Sequence, residues 1–437
     1  MPAVGVMFKT VSTDCNLDCS YCYYRESLEG SRIRRRIDRG MLETFIPHYM
    51  DYVSDTGAAR FAWQGGEPTL AGLDFFRWVV ELQERNARPG TEIHNALQTN
   101  GVLIDEQWAE FLAEKGFLVG VSIDGPEEVH DSLRRDRGRH GSFARALAGL
   151  DLLRRHGVEV NALCVVGPHN VARPRDLMRF FRRERIGYLQ FIPAMDFQGT
   201  DPEAPASYLV TPEAYGQFLV EVFDEWYEGG TPSISIRIFN NFLQSYLGMP
   251  NDACVHGDSC DSGLIVEYNG DAYPCDFYVS PKWRLGNVLE QDLAEIAESA
   301  ARTEFIHRKQ PLPAACQACE YQRWCKGGCP RNRLNQEDGR QSADYFCDSY
   351  KRFFAYAGAR LEAIRDRVAR RWRCEENLEL FVSERRPEPG RNDACACGSG
   401  RKSKVCCQDP ALGNSYIFKP ADEPKPGLPT APGKRVR

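Results

Sequence analysis

Val4-Gly-Val-Met-Phe-Lys-Thr-Val11, followed by Cys15-Asn-Leu-Asp-Cys19-Ser-Tyr-Cys22-Tyr-Tyr24, is the stretch on which the reading of the fold turns. Val4–Val11 is a short apolar run that predicts a strand ending just before the first cysteine. Outward from it the chain repeats one pattern. Strands are expected at Arg60–Gln64, His94–Thr99, Leu118–Asp124, Val158–Val166 and Tyr188–Pro193. Helices are expected at Leu73–Asn86, Glu106–Lys115, Ser142–Arg155 and Arg175–Arg185. Phe75, Phe76, Val79, Val80 and Leu82 give the first of these helices its apolar face. Six strands with helices between them predict a series of βα units and a parallel sheet. Sites in such sheets gather at the C-terminal strand ends. The cysteine trio, Gly65-Gly66-Glu67-Pro68, Thr99-Asn100-Gly101 and Asp124-Gly125-Pro126 all fall there.

Past a helix expected at Pro212–Tyr227 the texture changes. Gly263–Tyr268 and Ala272–Cys275 predict a hairpin around Asn269-Gly270, a two-residue turn signal. Clustered cysteines and a long helical stretch, Asp344–Arg373, come next. Arg385–Asn392 is charged and contains proline, which suits a linker. Asp409–Arg437 is proline-rich and predicts disorder. The expected division is 1–235, 236–373, a linker at 374–392, a small unit at 393–409 and a tail at 410–437.

The 437 residues include 17 cysteines. Cysteine-dense disulfide scaffolds belong to small secreted domains, so grouped cysteines in a long chain argue for metal. There is no apolar run of about 18 residues to span a membrane, and the first ten residues lack a signal-peptide pattern. A formal net charge of −6 argues against nucleic-acid binding by bulk charge. The chain is therefore expected to be cytoplasmic, with no DNA partner and no membrane span.

Cys15-x3-Cys19-x2-Cys22 supplies three thiolates where a cubane iron–sulfur cluster takes four, leaving one iron open for chemistry. Spacing alone also fits a zinc site completed by a histidine, or three core cysteines. CNLDCSYCYY directly after a first strand resembles the radical S-adenosylmethionine enzymes. That resemblance implies a partial (β/α)6 barrel. It also implies an open iron chelated by the cofactor's methionine, and reductive release of a 5′-deoxyadenosyl radical. Gly65-Gly66-Glu67-Pro68 resembles the family motif that holds the methionine amine.

Eight cysteines between Cys254 and Cys347 are enough for two four-thiolate sites, with C-x2-C-x5-C-x3-C at the centre. This resembles the SPASM extension of peptide-modifying radical enzymes. The resemblance implies two auxiliary [4Fe–4S] clusters, three in all. Cys254, Cys260, Cys275 and Cys329 would hold one, and Cys316, Cys319, Cys325 and Cys347 the other. Two structural zincs remain the alternative.

AWQGGEPTLAGLDFF, LQTNG, FLVGVSIDGP, YPCDFYV, WRLGN and CKGGC follow the trio in the order seen in anaerobic sulfatase-maturating enzymes, over about residues 4 to 365. Those enzymes oxidise one Cys or Ser of a sulfatase to Cα-formylglycine. The resemblance places S-adenosylmethionine contacts at Tyr21, Gly66, Ser122, Arg134 and Met195, the last standing where the family usually has Leu. It makes Asp276, beside Cys275, the base that deprotonates the substrate radical, with a turn-capping Asp as the alternative. Gln64 and Gln98, at strand ends, are candidates for holding the substrate backbone, or ordinary loop polarity. A small electron donor such as flavodoxin or ferredoxin is implied. The competing reading is a ribosomal-peptide maturase that forms thioethers or epimerises a residue. Many of those carry a leader-binding domain before the first motif, and Cys15 leaves no room for one. A non-catalytic electron carrier would need no open iron.

Cys395-x-Cys397-x8-Cys406-Cys407 encloses a Gly-rich turn and suits tetrahedral zinc. It resembles the short zinc motif, SEC-C, at the tail of the secretion motor ATPase. Arg401, Lys402 and Lys404 then suggest contact with a ribosome or export factor. Cys164 and Cys374 read as packing or surface residues.

Overall fold

The computed structural model describes residues 4–25, 35–195, 207–261, 263–335, 341–383, 392–395 and 401–406. Its frame is a run of βα units: β1 (Val6–Lys9), α1 (Arg39–Tyr52), β2 (Ala58–Gln64), α2 (Leu73–Asn86), β3 (Glu92–Thr99), α3 (Glu106–Glu114), β4 (Leu118–Ser122), α4 (Glu127–Leu133), α5 (Phe143–Arg155), β5 (Glu159–Val166), α6 (Pro174–Arg183) and β6 (Tyr188–Pro193). β1 to β6 pair in parallel and in sequence order, the six-strand arrangement the alternation implies. The strands bury one face under the helices, where Phe8, Trp63, Phe76 and Phe181 are fully enclosed. Asp38, Asp105 and Thr211 accept from backbone amides at the starts of α1, α3 and α7 (Pro212–Tyr227), which fixes where the chain turns helical.

α1 is absent from the sequence reading. Met41, Leu42, Phe45, Ile46, Tyr49 and Met50 carry its buried stripe, interrupted by Pro47 inside the helix. The larger surprise is the sheet, which among the described residues has ten strands. β7 (Ser235–Ile236), which leads into α8 (Arg237–Leu247), extends it beyond β6. At the other edge, β8 (Leu264–Val266) pairs in parallel with β1, Phe8 against Val266. β9 (Asp271–Tyr273) and β10 (Gly286–Asn287) continue antiparallel. The cysteine-rich half therefore shares the barrel's sheet.

The hairpin lies where expected but its loop is longer. Glu267 pairs with Asp271 and Gly270 N donates to Glu267 O, so Tyr268-Asn269-Gly270 make the connection. Gly270 has φ +86, and a side chain there would meet Asn287. Next come α9 (Leu293–Ala297), α10 (Ala300–His307), α11 (Ala314–Gln317), α12 (Gln322–Cys325) and the ribbon β11 (Arg333–Asn335) with β12 (Gln341–Asp344). α13 spans Cys347–Ser383, starting later than the expected Asp344 and running on into the stretch read as linker. It packs on α7 and α8, with Phe353 stacked on Phe239. Among the described residues no helix is long and apolar enough to cross a membrane. The expected tail at 410–437, and Cys397 and Cys407, lie outside the described residues.

Candidate active site and cluster sites

The trio follows β1 in a loop pinned to the barrel rim. Asp18 N donates to Arg135 O and Ser20 N to Leu133 O. Leu17 N and Asn100 Nδ2 point at Cys15 Sγ, at 3.4 and 3.8 Å, the N–H···S pattern that suits a thiolate ligand. Burial pushes the free Cys15 thiol up to about 12, helped by Glu67 and the other two cysteines. Such a thiol does not ionise unaided near neutral pH, so its use as a thiolate calls for a cation beside it.

Gly65 and Gly66 fold tightly over this loop. Gly66 has φ +52, and a Cβ there would stand 1.9 Å from Asp14 O. Glu67, fully buried, accepts from Thr69 N, Thr69 Oγ1 and Thr99 Oγ1 on one oxygen and from Asn100 N on the other. Burial raises this carboxyl despite those hydrogen bonds. The acidic residue of the motif is thus occupied in tying the β2 and β3 rims together, and Gly66 is the member whose backbone borders the trio.

The other expected cofactor contacts gather partly. Arg134 Nη1 donates to Tyr21 OH at 2.7 Å, and Tyr21 OH donates to Asp124. Burial raises the Tyr21 phenol well above its ordinary value, so it keeps its proton. Ser122, at the end of β4, receives Gln98 Nε2 at 3.2 Å. Met195 is buried just past β6. Gln98 is thereby spent inside the barrel on Ser122, whereas Gln64 reaches a different group.

That group is Asp276. Its Oδ1 pairs with the buried Lys9 ammonium. Its Oδ2 accepts from Tyr23 OH (2.6 Å), Tyr24 OH (2.7 Å) and Gln64 Nε2 (3.3 Å). Lys9 Nζ also lies 3.7 Å from the Tyr24 ring centre. Burial pushes the carboxyl up, but the Lys9 charge and the donated hydrogen bonds outweigh it and hold Asp276 below its ordinary value. Its partners are side chains, not the backbone amides that a turn cap would take. Lys9, Tyr23 and Tyr24 escape the sequence reading. A lysine inside an otherwise apolar strand and two tyrosines beside Cys22 were the available signals.

The eight later cysteines separate into two neighbourhoods. Burial raises Cys260 to about 11 and Cys275 to about 12, and in each the nearby thiols are Cys254 and Cys329. Burial raises Cys325 to about 12, with Cys347 and Cys316 beside it. Cys316, Cys319, Cys325 and Cys347 line one pocket, with Tyr350 and Lys351. Among the described residues no three His, Cys, Asp or Glu side chains converge closely enough to hold one ion. A four-iron cube spreads its thiolates wider than a single ion does. The all-thiol donor sets fit that group. In the tail, Cys395 and Cys406 are buried within a small turn closed by Cys395 N to Arg401 O and Ser403 N to Asp393 O.

Three families match the chain: the radical SAM superfamily over residues 10–181, an iron–sulfur cluster-binding domain, SPASM, over 258–320, and the SEC-C motif over 391–409. A cysteine-type anaerobic sulfatase-maturating enzyme of Clostridium perfringens is 37% identical over 365 residues, covering 83% of this chain and 98% of the relative. A serine-type enzyme of Bacteroides thetaiotaomicron is 36% identical, covering 80% and 88%. A solved structure of native anSMEcpe with bound AdoMet and Cp18Cys peptide superposes with a TM-score of 0.78 at 37% identity, over 84% of this chain and all of that one.

Proposed function

This chain belongs to the anaerobic sulfatase-maturating enzymes of the radical S-adenosylmethionine superfamily, and from that premise we propose that it oxidises one Cys or Ser side chain of a sulfatase polypeptide to Cα-formylglycine. The observation that supports this chemistry is the cradle around Asp276: a buried carboxylate with four side-chain donors, one residue from Cys275 and at the mouth of β1.

In this reading Cys15, Cys19 and Cys22 hold the cluster with the open iron, and Tyr21, Gly66, Ser122, Arg134 and Met195 line the S-adenosylmethionine site. Cys254, Cys260, Cys275 and Cys329 hold one auxiliary cluster, and Cys316, Cys319, Cys325 and Cys347 the second. What the bound cluster and S-adenosylmethionine supply is a 5′-deoxyadenosyl radical that takes one hydrogen atom from the substrate Cβ. Asp276 takes the remaining SH or OH proton, and Cys275, one residue away, would hold the auxiliary cluster whose chemistry is to accept the remaining electron. With a thiol substrate, the thioaldehyde so formed takes up water and releases hydrogen sulfide; with an alcohol the aldehyde forms directly.

Three of the four donors crowd Oδ2, more than its two lone pairs take, while Oδ1 has Lys9 alone. For Oδ2 to act as the base it has to release one of these donors. Gln64 has the longest bond, so the incoming peptide displaces it, and its amide then holds the substrate backbone. Tyr23 and Tyr24, raised well above their ordinary values by burial and by Asp276, stay protonated and keep the carboxylate in place.

A small electron donor such as flavodoxin or ferredoxin supplies the electrons, and the use of cysteines as metal ligands, not disulfides, favours the cytoplasm. The SEC-C tail holds zinc, and its exposed Arg401, Lys402 and Lys404 face a ribosome or export factor. The experiment is mass spectrometry of sulfatase-derived Cys and Ser peptides after anaerobic incubation with S-adenosylmethionine and reductant. A mass change fitting conversion to the aldehyde is expected. A thioether crosslink or an epimerised residue would overturn the assignment in favour of a ribosomal-peptide maturase.

A further inference from the structure

Lys309, just past α10, is 1% exposed. Its ammonium donates to three backbone carbonyls: Cys254 O at 2.7 Å, Val255 O at 3.1 Å and Gly257 O at 2.6 Å. Burial lowers Lys309 from its ordinary value, but three carbonyl acceptors need three N–H donors, which only the ammonium supplies. Among the described residues no carboxylate pairs with it. The titratable and charged groups around it are the thiols of Cys260, Cys254 and Cys329, anionic once they ligate metal, and the Arg333 guanidinium. Arg333 in turn donates to Lys309 O at 3.0 Å and to Gly327 O at 2.9 Å. The lysine thus binds the loop carrying Cys254 to the segment leading to Cys329.

A buried cation without a counter-ion is costly unless something negative stands beside it. We infer that Lys309 is a positioning residue for the cluster on Cys254, Cys260, Cys275 and Cys329: it clamps the Cys254–Gly257 loop, and its charge favours the one-electron-reduced form of that cluster. The inference rests on the ligand assignment proposed above. In that scheme the substrate radical gives up one electron, the cluster gains it, and Asp276 takes the proton. Lys309 touches neither substrate nor Asp276. Its part is to make the nearby site a better acceptor, because each electron added beside a fixed positive charge in a low-dielectric surrounding is stabilised.

The test uses the full-length chain with Cys15, Cys19 and Cys22 replaced by Ala, so that the two auxiliary sets remain, and follows their reduction by EPR-monitored redox titration. Lys309→Gln should keep its iron and move one of the two reductions to lower potential. At the parent's midpoint the ratio of reduced to oxidised cluster should fall about tenfold, equivalent to about 59 mV for one electron. Lys309→Arg should leave both reductions near the parent's values. Full iron with unchanged potentials in Lys309→Gln overturns the inference. If Lys309→Gln cannot hold iron, Lys309→Arg decides: loading with the parent's potentials supports the charge, and failure to load overturns it. Failure of the ligand assignment looks different, because Cys254→Ala would then leave the iron content of the same background unchanged.

Discussion

The Lys9 ammonium and the Asp276 carboxylate, 267 positions apart, form a buried ion pair across the junction of the barrel and the cysteine-rich half. Parallel pairing of β8 with β1 sets the register Phe8 to Val266. The hairpin then returns the chain, by way of Cys275, to the mouth of β1. The barrel supplies the cation and the second unit supplies the carboxylate, so the cradle is complete only when the two share a sheet.

Losing one member of such a pair leaves a buried charge, which costs about 3–5 kcal/mol. Lys9→Met should therefore lower the melting temperature of the cluster-loaded protein sharply. The double change Lys9→Met with Asp276→Asn should melt higher than Lys9→Met alone, because the orphaned charge is gone. A double variant that melts as low as the two losses added together would show that the pair is not coupled.

Asp276→Asn also leaves the Lys9 charge unpaired, so chemistry is separated from structure by assaying only folded, cluster-loaded protein. As the base, the asparagine variant should still form 5′-deoxyadenosine and abstract hydrogen, yet yield little formylglycine. Both products are measured in one assay. Equal loss of both would make Asp276 a structural residue.

Gly66 admits no side chain. Its positive φ alone would cost roughly 1–2 kcal/mol for alanine, and the added Cβ would collide with Asp14 O, at 1.9 Å. Gly66→Ala should lose iron from the trio and S-adenosylmethionine binding, whereas Gly157→Ala, positive in φ but open in space, should cost only the backbone strain. Metal analysis and cofactor affinity on the two variants check this.

Local periodicity made most of the barrel legible. α2 and β6 match their expected bounds, because a stripe of apolar residues reports burial within one element. The β8–β1 junction was not legible: it pairs two short strands far apart in the chain, and neither carries a mark of its partner. The same holds for the site. Cysteine spacing marks ligands through chain-local geometry. Lys9, Tyr23 and Tyr24 matter only through Asp276, which the fold brings from the other half. Gln64 and Gln98 looked alike as strand-end glutamines, and only packing separates the one that meets Asp276 from the one spent on Ser122.

His130 gives a pH dependence with a definite sign. Its Nδ1 faces Asp124 N–H at 3.4 Å, and its Nε2 faces Ser142 Oγ at 3.0 Å, whose hydroxyl donates to Arg134 O. That arrangement needs a neutral ring with the proton on Nε2. Burial first, then the Arg134 charge, lowers His130 from 6.5 to about 4, against the opposing pull of Asp124 and Asp131. The unfolded chain therefore binds a proton that the folded chain refuses. The contribution of His130 to stability should be constant above about pH 6.5 and fall as the pH drops from there towards 4. His130→Gln, which keeps a donor and an acceptor without titrating, should flatten that slope in thermal melts across the window. An unchanged slope would assign the acid sensitivity to other groups.

The tail offers the last test. Cys395 and Cys406 are buried, and Arg401, Lys402 and Lys404 close to them are exposed. A four-cysteine zinc site accounts for such a unit, since in small domains metal binding replaces a hydrophobic core. Truncation after Arg385 leaves α13, which ends at Ser383, whole. It also leaves Lys9, Asp276 and the eleven cysteines proposed for the iron sites in place. The truncated chain should lose about one zinc per molecule, keep its iron, and turn over a short sulfatase peptide at the full-length rate. Metal analysis with peptide turnover decides between recruitment and chemistry. A large fall in turnover on a short peptide would mean that the tail reaches the active site, and unchanged zinc would mean that the four cysteines hold none.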